Sequence, residues 1–133
     1  MSDRVEQLTH HLTATMPRKT PDIHLYTDQT PNGVKISIIL EELGLPYTTH
    51  KTDISKNQQK TPEFLAINPN GRIPAITDTF TDGQTIRLFE SGSIMQYLIE
   101  QYDQEDHMIS YPQGTREHYE VNNWLFFMNA GVG

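Results

Sequence analysis

Between Ile23 and Tyr102 the hydrophobic period switches repeatedly between strand and helix, and this alternation restricts the chain to an α/β fold. Ile23-His24-Leu25-Tyr26 is a short strand candidate, interrupted by Thr30-Pro31-Asn32-Gly33. Ile36, Ile39, Leu40 and Leu43 then recur at helical spacing, with Glu41-Glu42 on the other side and Gly44 at the stop position, so an amphipathic helix is predicted. Tyr47, Thr48, Thr49 and Thr52 predict a second strand within residues 46–53, and residues 55–60 a polar loop. Thr61-Pro62-Glu63-Phe64-Leu65 predicts a short helix with Thr61 as N-cap and Pro62 at its first helical position, ended by Asn68-Pro69-Asn70-Gly71. Residues 73–77 and 85–89 read as strands around a turn holding Asp82-Gly83. Ser91 is expected to cap a last helix through Ile94, Met95, Leu98, Ile99 and Tyr102. The order β-α-β-α-β-β-α predicts a mainly parallel sheet with an antiparallel edge from the hairpin.

The flanks differ from this unit. Residues 1–21 carry Val5, Leu8 and Leu12 at helical spacing but are closed by Pro17 and Pro21, so they read as an N-terminal extension with one loose helix. Residues 22–103 form the α/β domain, and residues 104–133 a polar linker followed by a helix over 115–128. Tyr119, Asn123, Trp124, Phe127 and Met128 cluster on that helix, and no later segment offers them partners. Residues 104–133 are therefore expected to be the start of a truncated all-α domain.

Several functions are disfavoured by what the chain lacks. A net charge of -7 without a Lys/Arg cluster argues against nucleic acid. With no cysteine there is no disulfide, Cys-ligated zinc or protein thiol nucleophile, so any sulfur chemistry must come from a ligand. Asp3, Glu6 and His10-His11 stand where a signal peptide needs an apolar core, and no stretch reaches membrane-span length, so a cytoplasmic protein with no membrane partner is expected. His10, His11, His24, His50, His107 and His118 show no metal-ligand spacing, and no metal is expected. Met95, Tyr97 and Tyr102 read as core or subunit contact rather than as a substrate pocket.

Three motifs carry chemistry. Thr30-Pro31-Asn32 lies between a strand and a helix N-terminus, where a hydroxyl, an amide and free backbone N–H groups suit an anionic sulfur; a plain turn and cap is the alternative. Ile73-Pro74 is a candidate cis peptide, or an ordinary strand-initiating proline. Glu90-Ser91 puts a carboxylate and a hydroxyl at a helix start, which fits an α-amino acid head and is also compatible with simple capping.

Residues 26–33, 62–76 and 88–94, which contain these motifs, together resemble the N-terminal domain of glutathione transferases, and most of all the Nu-class and fungal branch that includes the yeast nitrogen-regulatory prion protein. The similarity runs from Ile23 to Tyr102, and the helix after Thr115 looks like the first helix of that family's all-helical second domain. The resemblance implies a thioredoxin-like fold, glutathione as co-substrate without metal, and a homodimer when full length. It implies that Thr30 and Asn32 act on the glutathione sulfur, that a cis Ile73-Pro74 bond turns the Ile73 backbone toward the cysteinyl unit, and that Glu90 and Ser91 hold the γ-glutamyl head. Gln59 would take the glycyl end, with Gln58 a rival and Arg72 a helper.

The expected activity is conjugation of glutathione to a small electrophile or glutathione-dependent disulfide reduction. The alternative is a non-catalytic glutathione-binding regulator of the nitrogen-regulator type, acting through a protein partner. Gln7 is the only amide residue in residues 1–22, which lack the Asn/Gln-rich character of a prion-forming tail and so favour the enzyme. A third reading is a small interaction domain that binds no glutathione.

Overall fold

The computed structural model describes residues 19–131; the helix suggested by Val5, Leu8 and Leu12 lies outside them. The elements are β1 (Ile23–Thr27), α1 (Pro31–Glu42), β2 (Tyr47–Lys51), two 3-10 turns (Ile54–Lys56 and Gln58–Lys60), α2 (Pro62–Leu65), β3 (Ala75–Thr79), β4 (Thr85–Phe89), α3 (Ser91–Tyr102) and α4 (Arg116–Gly131). This is the expected β-α-β-α-β-β-α order followed by one helix.

Local chemistry accounts for most boundaries. Thr30 Oγ1 accepts the Gly33 N–H at 3.1 Å and Pro31 opens α1. Gly44, at φ +64, ends it: its N–H bonds the Glu41 carbonyl while Leu45 N–H bonds that of Leu40, a Schellman closure that Gly tolerates without a Cβ clash. Thr61 caps α2 by accepting the Phe64 N–H, and Pro62 follows it. In the hairpin, Gly83 sits at φ +82 and the Asp82 carboxylate accepts the Gln84 N–H.

Two expectations are corrected. The sheet order is β2-β1-β3-β4, and only β1–β2 is parallel, whereas β1–β3 and β3–β4 are antiparallel. The sheet is therefore mixed, not mainly parallel. With 4 residues α2 rises only about 6 Å, against roughly 17 Å for a five-residue strand, so it does not return the chain to the starting end of β2. The second correction concerns Ser91, which is not the N-cap of α3. Glu90 occupies that position at φ +70 and makes no side-chain cap bond, and Ser91 is the first helical residue.

One face of the sheet is closed by α1 and α3. Ile23, Leu25, Ile36, Ile39, Leu40, Ile76, Ile94, Tyr97 and Leu98 form the core. Each fully buried aliphatic side chain contributes about 1.5–3 kcal/mol through removal from water. By contrast no residue of α4 is buried, and Tyr119, Trp124, Phe126 and Phe127 are all exposed.

The carboxylate of Asp78 is also buried. Asp78 in β3 accepts hydrogen bonds from Lys19 Nζ (2.6 Å), Tyr97 Oη (2.8 Å), Tyr102 Oη (2.5 Å), Asp22 N–H (3.0 Å) and Thr79 N–H (2.8 Å). Burial opposes its ionisation, but the bonds from Lys19, Tyr102, Asp22 and Tyr97 outweigh burial and hold its pKa below the usual carboxylate value. Burial, and then the bond to Asp78, push Tyr97 and Tyr102 well above the ordinary phenol range. Tyr97 is thus a core residue with a polar tip.

Candidate functional site

The site gathers where three chain segments meet at one end of the sheet: the β1–α1 loop, the segment before β3, and the start of α3. A cleft of about 350 Å³ is lined by Thr30, Pro31, Asn32, Ile54, Gln59, Gly71, Arg72 and Ile73. A smaller one of about 170 Å³ adjoins it, lined by Asn32, Asn68, Arg72, Ile73, Pro74, Glu90, Ser91, Asn129 and Ala130. The two share Asn32, Arg72 and Ile73, so the expected residues Thr30, Asn32, Gln59, Ile73, Glu90 and Ser91 all lie along one continuous depression.

The β1–α1 loop needs Gly33 because a Cβ there would meet Thr27 Oγ1 at 2.3 Å and the Asp28 carbonyl at 2.4 Å. That close approach places the first turn of α1 against the end of β1. Thr30 spends an oxygen lone pair on the Gly33 N–H as cap, and among the described residues its hydroxyl proton has no acceptor. Capping and ligand donation are therefore compatible. The Asn32 Oδ1 accepts from Lys35 Nζ at 2.6 Å, which makes Nδ2 the opposite, donating end of the amide.

The Ile73-Pro74 bond is cis. Among the described residues the Ile73 N–H and C=O make no hydrogen bond. Asn68 Nδ2 donates to the Arg72 carbonyl at 2.8 Å and braces this segment, and Asn68 is 1% exposed. Of the two candidate glutamines, Gln58 is occupied outside the cleft, accepting the Asp53 N–H at 2.8 Å. Gln59 lines the cleft, and its buried Oε1 has no partner among the described residues.

At the far end, Glu90 sits at φ +70, a region sparsely populated by residues with a side chain. The Ser91 hydroxyl lies 3.2 Å from Asn129 Oδ1, on α4. Asn129 was not foreseen as a site residue. Its partners are 37 to 39 positions away in sequence, and no local spacing signals such a pairing.

Elsewhere, His24 Nδ1 and His50 Nε2 approach to 2.8 Å across β1 and β2, with Tyr26 stacked on His50. Among the described residues no group of three or more His, Cys, Asp or Glu is arranged to hold a metal. Among the described residues no helix is long and apolar enough to cross a membrane.

The family profile described as "Glutathione S-transferase, N-terminal domain" matches residues 30–101. Over 103 residues the chain is 50% identical to the glutathione S-transferase-like protein gedE of Aspergillus terreus, covering 77% of this chain and 43% of that protein. It is 42% identical over 102 residues to Protein URE2 of Candida albicans, covering 76% of this chain and 29% of that protein. Among solved structures, a glutathione transferase homolog from Lodderomyces elongisporus with two GSH per subunit superposes with a TM-score of 0.78 at 49% identity, covering 82% of this chain and 50% of that one. The chain thus spans half or less of the length of these relatives. The profile match, together with a thioredoxin-like sheet that sets the matching motifs around one cleft, shows that the chain belongs to the glutathione S-transferase family and carries its N-terminal domain.

Proposed function

We propose that this chain binds glutathione along the joined clefts and stabilises its sulfur as a thiolate for attack on a second substrate. The observation that carries the proposal is the unspent hydrogen-bonding capacity of the Thr30 hydroxyl, the Ile73 N–H and C=O and Gln59 Oε1, matched in order along the depression to the ligand. The Thr30 hydroxyl and the Asn32 amide stand at the N-terminus of α1, where partial positive charge favours an anion. The Ile73 N–H and C=O pair with the cysteinyl unit as an added strand would. Gln59 Oε1 accepts the glycyl N–H, and Arg72, which lines both clefts, supplies positive charge to a ligand carboxylate. Glu90 takes the α-ammonium of the γ-glutamyl head, and Ser91, whose hydroxyl donates to Asn129 Oδ1, takes its α-carboxylate through the backbone N–H groups of the helix N-terminus.

Lowering a thiol pKa from about 8.5 to about 6.5 takes roughly 2.7 kcal/mol, which one or two hydrogen bonds to a charged group supply. In conjugation, the thiolate forms a C–S bond as the leaving group departs with its electron pair or the electron pair moves into the acceptor. In disulfide reduction, it attacks one sulfur of the substrate, the S–S bond breaks and the departing thiolate takes a proton. A second glutathione thiolate then attacks the glutathione sulfur of the mixed disulfide, that S–S bond breaks, the remaining substrate sulfur departs as a thiolate that takes a proton, and the two glutathiones leave joined as glutathione disulfide; the relative with two GSH per subunit supports room for both. Residues 104–133 begin an all-helical domain in this reading, and the full-length protein is a cytoplasmic homodimer.

The test is the absorbance of bound glutathione thiolate against pH. Thr30→Ala and Asn32→Ala each raise the pKa of the bound thiol by about one unit, leaving about tenfold less thiolate below it, and reduce turnover much more than binding. A double variant that keeps full turnover would falsify the sulfur assignment. The second reading, a non-catalytic regulator, is favoured by the URE2 relatives. It prevails if the full-length protein binds glutathione but turns over neither a generic electrophile nor a small disulfide.

A further inference from the structure

We infer that Asn129, on α4 and outside the domain that supplies the rest of the site, is a positioning residue that holds Glu90 and the start of α3 ready for an amino-acid head. The inference rests on the glutathione reading above and extends it to a residue that none of the three motifs contains.

Asn129 Oδ1 lies 3.0 Å from the Gly92 N. A backbone N–H can only donate, so this contact fixes which end of the amide is oxygen. Nδ2 then faces Glu90 and donates to its Oε1 at 3.3 Å. The same Oδ1 lies 3.2 Å from the Ser91 hydroxyl. A Cβ at Gly92 would sit only 3.2 Å from Asn129 Oδ1, so the glycine gives α4 room for this approach. One amide thus satisfies the Gly92 N–H and holds one oxygen of the Glu90 carboxylate.

The consequence concerns what is left over. Glu90 is exposed, and without Nδ2 its carboxylate would sample several rotamers in water. With one oxygen held, the other is presented to an ammonium beside Ser91. Asparagine suits this position because it accepts and donates at once. Aspartate would turn the Glu90 contact into repulsion, and alanine would remove both bonds. Because the amide links α4 to the head subsite, ligand binding and the seating of α4 on α3 support each other.

The test uses the whole chain and two ligands: glutathione, and glutaryl-cysteinylglycine, which differs only in lacking the α-amino group. Asn129→Ala is expected to weaken glutathione binding about tenfold while changing the affinity for the glutaryl analogue less than about twofold. Asn129→Asp, nearly identical in shape, guards against loss of folding and is also expected to weaken glutathione by about tenfold or more. Glu90→Ala serves as reference. If Glu90→Ala weakens glutathione while neither Asn129 variant does, the role of Asn129 is overturned and the glutathione site stands. Equal loss for both ligands in Asn129→Ala would show a merely structural contact and also overturn it. If the wild-type chain does not distinguish the two ligands and no variant alters binding, the head-group assignment falls with it.

Discussion

Helix α3 carries a polar cluster at each end, and the two are built on opposite principles. Tyr97 and Tyr102, in its second half, close around Asp78 together with Lys19, so that a buried carboxylate is met by five donors. About 9 Å from Tyr97 and about 16 Å from Tyr102 along the helix axis, its first turn stands beside Glu90, which is exposed and has one oxygen held by Asn129. The closed cluster has its hydrogen-bonding capacity spent within the protein and so adds stability. The open one keeps capacity in reserve, which adds little to stability and makes the surface able to bind.

Breaking the closed cluster is expected to have the largest effect. Asp78→Ala leaves Lys19 and two phenols without their acceptor and costs about 3–5 kcal/mol of stability, read as a lower urea midpoint with unchanged slope. The same cluster governs acid sensitivity. Because the pKa of Asp78 is lowered in the folded state, its contribution is fully present above the ordinary carboxylate pKa and is lost as pH falls through the lower, folded-state value. Stability of the wild-type chain should therefore fall through that acid window with a component that Asp78→Asn lacks; equal slopes for both would remove the cluster from the acid response.

The open end should behave in the reverse manner. Glu90→Ala is expected to weaken glutathione about tenfold in a calorimetric titration, yet to move stability by less than about 0.5 kcal/mol. A large loss of stability there would erase the contrast between the two ends. The smallest effect is expected for Tyr97→Phe, which removes one of five donors to Asp78 and should cost about 1 kcal/mol with glutathione affinity unchanged.

The parts of the fold that were legible in the sequence are those whose cause lies within a few residues. Thr30 before Pro31, Thr61 before Pro62, Gly44 at its positive φ and Asp82-Gly83 in the hairpin each act on a neighbour no more than five positions away. The cleft residues were legible only because three separated motifs matched a family. No local property of Gln59 sets it apart from Gln58, and it was the 3-10 turn over Gln58–Lys60 that put one glutamine in the cleft and left the other bonded to Asp53.

What the sequence by itself determined is the order of elements, the amphipathic faces that become the core, and the residue types available for a sulfur ligand in a chain without cysteine. Period, caps and turn residues are short-range, so they act wherever the segment finds itself. Only the tertiary structure decided the direction of β3, the replacement of Ser91 by Glu90 at the start of α3, the burial of Asp78 under Lys19, and the arrival of Asn129 at the head of the cleft. The burial of Asp78 joins it to Tyr97, Tyr102, Asp22 and Lys19, 19 to 59 residues away, and the seating of Asn129 joins groups 37 to 39 residues apart. Such pairings form only because packing of the sheet and helices brings their backbones together, and no periodicity along the chain encodes them.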